Sequence, residues 1–431
     1  MLKLLKYKSK NSLKVLKKFL DKRKSFQKSQ TSAVSKIINN VKKNGDRAVL
    51  RYEKKFSKLN TKSKKILFTQ SEINAISNKT DIKIKKSINL AFDRIKKFHF
   101  KQKFSSFSFK DKYKNVLSYK YLPLEKVGVY VPGGTASYPS TVLMNCIPAL
   151  VAGVKNIYLT TPSLDSRINP AVIYAAKKCG VKKIYKTGGA HTIAALAYGT
   201  KKIEKVDKIV GPGNAFVACA KKEVFGDVGI DMVAGPSEVS IVADKSADPD
   251  LIAADLIAQA EHDENAQSIL ITNNKNLVGL VNLSLRKQLT KLPKKKIASK
   301  SLKNFGLAIF TDSKKKILEI INTIAPEHLE LCTSMNKEIL KGVRNAGSIF
   351  IGKFSPEAIG DYIAGPNHVL PTSGSARFSS GLSVNDFLKR HSEIKITKTG
   401  IERLGSSVIN LAKHENLDGH ANSIKIRLKK G

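Results

Sequence analysis

The sequence predicts an α/β protein with two Rossmann-like parallel-sheet domains, a helical N-terminal segment and a small C-terminal arm. Three observations support this fold class. From residue 126 to about residue 235, short apolar segments alternate with segments of helical spacing, and a second alternation of this kind extends to about residue 381. The residues before position 60 have apolar side chains at helical spacing. Strands that alternate with helices of this length indicate a parallel sheet with crossover helices.

The first 125 residues predict helices followed by a short extended region. The stretch TSAVSKIINNVKKNGDRAVLRYEKKF places apolar residues on one helix face and has a break at Gly45. Residues 82–99 predict one long helix, and the residues from there to position 125 predict a polar hairpin or an extended segment.

The first α/β unit contains four glycine-rich turns. These turns are VPGGTASYPS, KTGGAHT, IVGPGNAF and DMVAGPSE, and each follows a predicted strand. Ligands of open α/β sheets bind at strand ends, glycine lets the backbone approach a ligand, and a following helix N-terminus favours phosphate. None of the turns is a GxGxxG, so any one of them could be an ordinary β–α turn, but four in one sheet indicate a ligand site.

The second α/β unit repeats the pattern. Its predicted strands are SEVSIVAD, SILITNN, GLAIFTD, LELCT and SIFIG, and its helices include DPDLIAADLIAQAEHD and SKKKILEIINTIAPEH. The tail from about Leu382 is short and polar, with one last amphipathic stretch. This tail predicts a small arm and not a third large domain.

The net charge of +43 makes a basic nucleic-acid-binding protein one alternative. Only 11 of the 77 lysine and arginine residues are arginine, whereas arginine is the usual reader of bases and phosphates. The lysines are spread over most of the chain, which favours a general compositional bias. Specific binding predicts clustered arginine and exposed aromatic residues, which the sequence does not show.

The cysteines and apolar segments indicate a cytoplasmic protein outside the membrane. Cys146, Cys179, Cys219 and Cys332 form neither a CxxC pair nor a disulfide framework. The basic N-terminus lacks the sustained apolar segment and the cleavage site of a signal peptide. The most apolar run, STVLMNCIPALVAGV, is too short to span a bilayer.

Side chains typical of metal ligands occur near the end of a predicted helix, in QAEHDENAQ. Gln259 and His262 are three residues apart and therefore share one helix face. This spacing suits a pair of metal ligands, although a lone histidine near a helix end is more often a surface residue. Both interpretations are open on this stretch alone.

Other histidines favour a metal site. Glu327 and His328 are adjacent at the end of a predicted helix, Asp361 and His368 lie in a loop rich in glycine and proline, and HENLDGHANS contains two more histidines. A mixed set of nitrogen and oxygen ligands suits zinc with an open coordination position. A zinc hydrolase is an alternative, but the glycine turns and the absence of an HExxH motif argue against it.

Six stretches of the chain resemble the histidinol dehydrogenase family. They are VGVYVPGGTASYPSTVLMN, GPGNAFVACAKKEVFG, DMVAGPSEV, DLIAQAEHD, APEHLEL and GDYIAGPNHVLPTSGSARFSSGLSV. The resemblance covers about residues 20–430. It implies an N-terminal helical arm (1–24), an α/β domain with the metal and catalytic residues (25–126 and 237–381), a Rossmann-like NAD-binding domain (127–236) and a C-terminal dimerisation arm (382–431).

The family oxidises L-histidinol through L-histidinaldehyde to L-histidine, the last step of histidine biosynthesis, with two NAD and one zinc ion. The resemblance implies that the zinc ligands are Gln259, His262, Asp361 and His420. It also implies that His328 is the base for the alcohol step and that Glu327 activates water for the aldehyde step.

The resemblance implies further contacts with the substrate. Ser237, His368 and Glu415 would hold L-histidinol together with His328 and the zinc ligands. The family is a homodimer whose C-terminal arm crosses to the partner. Glu415 and His420 would therefore complete the site of the neighbouring subunit.

The implied NAD contacts are Tyr130, Asn214 and His191. The family usually has glutamine where this chain has His191, in GGAHT. An imidazole can donate one hydrogen bond, but it cannot present the donor and the acceptor of an amide together. At His191 this chain therefore departs from the family pattern, and an NAD contact there depends on how the imidazole is placed.

Overall fold

Parallel sheets form the centre of the fold, as the alternation of strands and helices predicts. The computed structural model describes residues 1–24, 30–57, 65–133, 138–163 and 168–430. The two large sheets of these residues contain only parallel strand pairs and are flanked by helices. The predicted α/β fold class is confirmed.

One sheet has five strands, and the predicted glycine turns follow its strands, although residues 134–137 of the first turn lie outside the described residues. Its strands, in spatial order, are β6 (Lys183–Tyr185), β5 (Asn156–Thr160), β4 (Lys126–Tyr130), β7 (Lys208–Val210) and β8 (Gly229–Ile230). Its crossover helices are α5 (Pro139–Ala152), α6 (Pro170–Lys178), α7 (Ala190–Tyr198) and α8 (Ala215–Val224). The strand order reverses direction between β4 and β7, and ligands of open α/β sheets bind outside the carboxyl ends of the strands at such a point.

Three helices from the first hundred residues pack on this five-stranded sheet. They are α2 (Thr31–Phe56), α3 (Gln70–Asn78) and α4 (Ile82–Phe100), and they contact α7, α6 and α5 respectively. These contacts differ from the predicted grouping of residues 25–126 with residues 237–381. The reason is the apolar faces of the helices, because Val34, Ile38 and Val49 share one core cluster with α7. Gly45 has a φ of 49° and interrupts α2, as the sequence predicts.

The other large sheet has six strands. Their spatial order is β1 (Lys3–Lys6), β11 (Gly306–Phe310), β10 (Gln267–Thr272), β9 (Glu238–Ala243), β12 (His328–Cys332) and β13 (Ser348–Ile351). Its helices are α9 (Pro249–Ala260), α10 (Lys275–Leu289), α11 (Lys295–Phe305), α12 (Lys314–Ile324), α13 (Asn336–Gly342) and α14 (Glu357–Tyr362). The central strands β9 and β10 are buried along their whole length, which is typical of a sheet covered on both faces.

The N-terminal segment is not entirely helical. Helix α1 (Lys10–Lys24) agrees with the predicted arm, but β1 precedes it and pairs in parallel with β11. The backbone groups on the open edge of β11 find partners in β1, and a local helical pattern gives no information about such a pairing.

A small antiparallel sheet joins the C-terminal arm to the hairpin after α4. Strand β14 (Leu388–Lys395) pairs with β3 (Val116–Pro123), and β3 pairs with β2 (Phe107–Lys110). The hairpin agrees with the prediction for the residues before position 125, but its partner is the arm. Two helices, α15 (Lys398–His414) and α16 (Asp418–Lys430), pack against each other beyond this sheet. Within the described ranges, every helix is too short or too polar to cross a membrane.

Candidate active site

A cleft of about 490 Å³ lies between the two large sheets. One wall is formed by residues that follow the carboxyl ends of β4 and β7, such as Pro132 and Gly213. The opposite wall is formed at the amino ends of β9 and β12 and by residues 357–372. The sequence prediction of ligands at carboxyl strand ends therefore describes one wall of the cleft, whereas the six-stranded sheet contributes its amino edge.

Most of the predicted site residues line this cleft. The residues that do so are Asn214, Ser237, His262, Glu327, His328, Asp361 and His368. Gln259 is buried directly behind this wall. Glu415 and His420 are exposed on the C-terminal arm of the same chain and do not line the cleft. Five motifs that are far apart in sequence are thus brought together by the fold.

A cluster of candidate metal ligands lies on the wall formed by α9 and α14. His262, Glu357 and Asp361 each offer one ligand atom, and these atoms lie within 4.8 Å of one another. His262 follows the end of α9 and does not belong to the helix itself, but its N–H donates to the carbonyl oxygen of Gln259 at 3.3 Å. The two residues are therefore close together, as predicted, but a turn after the helix relates them and not the helix itself.

Glu357 is a site residue that the sequence analysis missed. It stands four residues before Asp361 on α14, so the two carboxylates lie on one face of the helix. With the Gln259 amide oriented to satisfy its neighbours, its nitrogen donates to the Glu357 carboxylate and its oxygen accepts from the Glu238 N–H at 3.2 Å. The i, i+4 carboxylate spacing in PEAIGDY was the available signal.

The carboxylates of this cluster are largely shielded from water. Burial raises the pKa of Asp361 to about 7. Burial, together with the negative charges of Asp361 and Glu327, raises the pKa of Glu357 well above its ordinary value. Buried carboxylates without a neutralising partner are costly. Their arrangement with an imidazole nitrogen fits a divalent cation.

Glu327 and His328 lie at the start of a strand, and the prediction of a helix end is wrong. Helix α12 ends at Ile324, Ala325 adopts a left-handed conformation with φ of 49°, and His328 begins β12. Glu238, the first residue of the neighbouring strand β9, holds both side chains. Its N–H donates to Oε2 of Glu327 at 2.8 Å, and its carbonyl oxygen lies 3.1 Å from Nδ1 of His328.

This contact decides which nitrogen of His328 can act as a base. A carbonyl oxygen only accepts, so Nδ1 must carry the hydrogen and Nε2 must present its lone pair. Nε2 is buried and has no hydrogen-bond partner among the described residues. Burial lowers the pKa of His328 to about 3, and the nearby His368 and His262 add to this effect. The imidazole is therefore neutral at neutral pH and has a free acceptor in the wall of the cleft.

Burial also shifts the pKa values of Glu327 and His368. The pKa of Glu327 is raised well above its ordinary value by burial and by the carboxylate of Glu238. Burial lowers the pKa of His368 to about 4, and its Nδ1 donates to the carbonyl oxygen of Asp361 at 2.8 Å. Groups with shifted pKa values that converge in one cleft are typical of an active site.

The opposite wall has the features of a phosphate-binding turn. A Cβ atom at Gly211, whose φ is 114°, would collide with the carbonyl oxygen of Tyr130. Asn214 caps α8, because its Oδ1 accepts from the N–H groups of Phe216 and Val217 at 3.1 Å each. Residues 211–215 line the cleft, so the N-terminus of α8 faces it, and the positive end of the helix dipole favours an anion there.

A buried ion pair holds this turn in place. The ammonium group of Lys221 contacts the carboxylate of Asp231 and donates to the carbonyl oxygen of Gly211 at 2.9 Å. The second carboxylate oxygen of Asp231 accepts from the Gly211 N–H at 2.8 Å. Because both polar groups of Gly211 are bound, the backbone of the turn is fixed next to the cleft.

The side chains of Tyr130 and His191 do not line the cleft. The hydroxyl of Tyr130 accepts from the Gly189 N–H at 3.0 Å, so it supports the turn before α7. His191 is 1% exposed, and its Nε2 lies 2.7 Å from Oε1 of Glu53. This burial does not agree with the implied NAD contact at His191. Its physical reason is the buried carboxylate of α2, which binds the imidazole inside the protein.

The Glu53 carboxylate binds several groups of this turn. Its Oε1 also accepts from the Thr187 hydroxyl and from the Gly188 N–H, both at 2.8 Å. Burial raises the pKa of Glu53, but the bonds from His191 and Gly188 outweigh this effect and leave the pKa below its ordinary value. An acidic residue on the apolar face of a predicted helix was the sequence signal for this network.

We expect Glu53→Ala to lower the free energy of unfolding by about 3–5 kcal/mol, because the change leaves a buried imidazole and two donors without an acceptor. Urea unfolding at neutral pH measures this effect. Since the folded-state pKa is lowered, the contribution of Glu53 is present above about pH 4.5 and is lost as the pH falls below that value. Lys54→Ala, next to it on the exposed face, is the control. Equal stability of the two variants would show that the Glu53 network contributes nothing.

Comparisons with known proteins agree with this site. The family model described as histidinol dehydrogenase matches residues 20–428. A histidinol dehydrogenase of Pelagibacter ubique is 54% identical over 431 residues and 100% of both chains. One from Clostridium acetobutylicum is 50% identical over 91% of both chains. The crystal structure of a histidinol dehydrogenase from Elizabethkingia anophelis has a TM-score of 0.89 and 40% identity, and the match covers 94% of this chain and 93% of that one.

These matches cover almost every residue from which the cleft is built, including both of its walls and the C-terminal arm. The chain belongs to the histidinol dehydrogenase family, whose members are oxidoreductases of histidine biosynthesis.

Proposed function

We propose that this chain oxidises L-histidinol through L-histidinaldehyde to L-histidine, with one zinc ion per subunit and two NAD molecules per turnover. The observation that carries this proposal is the neutral His328, whose free Nε2 shares one cleft with Glu327 and with the cluster of His262, Glu357 and Asp361. A base, a carboxyl group and a set of metal ligands beside a phosphate-binding turn are what a metal-assisted NAD-dependent oxidation requires.

The proposed zinc ligands are Gln259, His262 and Asp361 of one subunit and His420 of the other. The mixed oxygen and nitrogen donors suit zinc. When bound, zinc would orient the imidazole and the amine of the substrate as a template. Glu357 would position Gln259, because its carboxylate accepts from the Gln259 amide.

His328 is proposed as the base for the alcohol step. The alcohol must lose a proton from oxygen while hydride leaves carbon, and the free Nε2 is an acceptor for that proton. Glu327 is proposed to activate water for the aldehyde step. Burial raises the pKa of Glu327, and a carboxylate with a raised pKa is a stronger base towards water.

The remaining contacts follow from the two walls of the cleft. Ser237 and His368 would hold the substrate together with Glu415 from the partner, since a carboxylate suits the substrate ammonium group. Asn214 and the α8 N-terminus would hold the phosphates of NAD. Tyr130 would act indirectly by supporting the turn at Gly189. The enclosed ring of His191 has no part in this proposal.

We also propose a homodimer in which the C-terminal arm completes the neighbouring site. This arrangement is supported by Glu415 and His420, which are exposed and do not line the cleft of their own chain. We expect the dimer to work in the cytoplasm, without a membrane or a specific nucleic-acid partner.

The proposed activity is tested by the formation of NADH from NAD and L-histidinol. We expect two NADH per L-histidinol consumed, with L-histidine as the product. Hydrolytic release of a product without a change in NADH absorbance would instead support a zinc hydrolase.

Removal of the metal should abolish turnover. We expect about one zinc per chain by metal analysis, and we expect His262→Ala to lose both zinc and activity because the cluster loses its nitrogen ligand. Chelated protein should regain activity when zinc is added back. Full turnover by a metal-free preparation would contradict the proposal, and His391→Ala, an exposed histidine on β14, should keep its zinc.

A further inference from the structure

Arg23 reaches the catalytic centre from the N-terminal segment. Strand β1 runs parallel to its neighbours, so its carboxyl end lies at the carboxyl edge of the six-stranded sheet. Helix α1 then returns over 15 residues, a distance of about 22 Å. This length is sufficient to pass the sheet, and it brings Arg23 in the last turn of α1 to the amino end of β9.

The guanidinium group of Arg23 is buried and bound on several sides. It is 4% exposed, and Nη1 donates to Oε1 of Glu238 at 2.7 Å. Its Nη2 donates to the carbonyl oxygen of Pro236 and lies 3.4 Å from that of Ser237. A planar guanidinium can bind several acceptors in a fixed geometry, which a lysine ammonium cannot do.

Glu238, which binds Arg23, also holds Glu327 and His328. The backbone of Glu238 donates to Glu327 and accepts from His328, at 2.8 and 3.1 Å. The Ser373 N–H donates to the same Glu238 oxygen that Arg23 binds, also at 2.8 Å. Arg23 thus fixes the segment 236–238 on which the positions of both catalytic side chains depend.

We propose that Arg23 is a positioning residue for the oxidation and acts by holding Glu238 and the preceding turn against Glu327 and His328. The inference rests on the roles proposed above for these two residues. Without Arg23, the buried Glu238 carboxylate loses its cation and the turn loses its donors. A displacement of about 1 Å at a reacting group can slow catalysis by about 10²-fold.

We expect Arg23→Ala to lower kcat by about 10²-fold with little change in KM for NAD, because Lys221 and Asp231, and not Arg23, hold the turn at Gly211. Zinc content and thermal unfolding of the same preparation show whether the variant is folded. Lys18→Ala, an exposed change on the same helix, is the control and should retain full kcat. An unchanged kcat in folded Arg23→Ala would overturn the proposal.

Chemical rescue separates positioning from general loss of structure. Arg23 also lines a second cavity of about 270 Å³, together with Lys17 and Gln267. Millimolar guanidinium chloride should enter the space left by Arg23→Ala and restore part of kcat, whereas sodium chloride at equal ionic strength should not. If Arg23→Ala fails to fold, Arg23→Lys keeps the charge but loses the planar group. Full kcat in Arg23→Lys would overturn the proposal.

A double-mutant cycle with Glu327→Gln distinguishes this inference from the function on which it rests. If Arg23 acts through Glu327, the loss in the double variant should be smaller than the product of the two single losses. Independent, multiplicative losses would overturn the positioning role alone. Full activity of Glu327→Gln in both half-reactions would instead overturn the role proposed for Glu327 and, with it, the route by which Arg23 acts.

Discussion

Replacing His328 with asparagine is expected to slow oxidation of the alcohol by about 10²–10⁴-fold, the usual loss when a general base is removed. The asparagine amide can still donate to the carbonyl oxygen of Glu238, as Nδ1 of His328 does at 3.1 Å. It cannot place an acceptor where the free Nε2 lies. The change therefore removes the base and keeps the contact between the strands.

The half-reactions distinguish the two catalytic residues. NADH formation is measured once with L-histidinol and once with supplied L-histidinaldehyde. His328→Asn should lose the alcohol step most. Glu327→Gln, whose amide oxygen can still accept from the Glu238 N–H, should oxidise the alcohol faster than the supplied aldehyde. If Glu327→Gln slows both half-reactions equally, the division of roles is wrong and the pair acts as one relay.

Mixing two inactive variants should restore activity if the active site is shared between subunits. His328→Ala lacks the base in the cleft, and His420→Ala lacks the ligand on the arm. After random exchange of subunits, half of the dimers are mixed, and each mixed dimer has one intact site. We expect about one quarter of the activity of the unmodified protein, measured as NADH formation.

The mixing experiment needs proof that subunits exchange. A size tag on one variant allows mixed dimers to be isolated and assayed directly. His414→Ala, which changes an exposed histidine on the same arm, should be fully active without mixing. Mixed dimers without activity would show that the arm serves the cleft of its own chain.

Local sequence patterns determined the main features of the fold. The alternation of strands and helices predicted both parallel sheets, and the break in α2 followed from Gly45. The glycine turns predicted the wall at the carboxyl ends of β4 and β7. The spacing of Gln259 and His262 predicted that these two residues lie close together. In each case, the pattern that carries the prediction lies within one short stretch of sequence, where backbone geometry relates the residues.

The motifs of the family determined which residues to expect in the active site, but they gave no information about burial. Only the fold shows that Nε2 of His328 is left without a partner and that its pKa falls to about 3. Only the fold shows, too, that His191 is buried beside Glu53. Water is excluded from His328 by elements that are far away in the chain, and exclusion of water is what moves its pKa.

The tertiary structure also decided the long-range partners. It placed α2, α3 and α4 on the five-stranded sheet, added β1 to the six-stranded sheet and brought Arg23 to Glu238 across 215 positions of sequence. An isolated stretch of sequence shows which face of an element is apolar or charged, but several surfaces could cover that face. The choice is made by packing, since only one arrangement buries the apolar faces, pairs the buried charges and satisfies the strand edges at the same time.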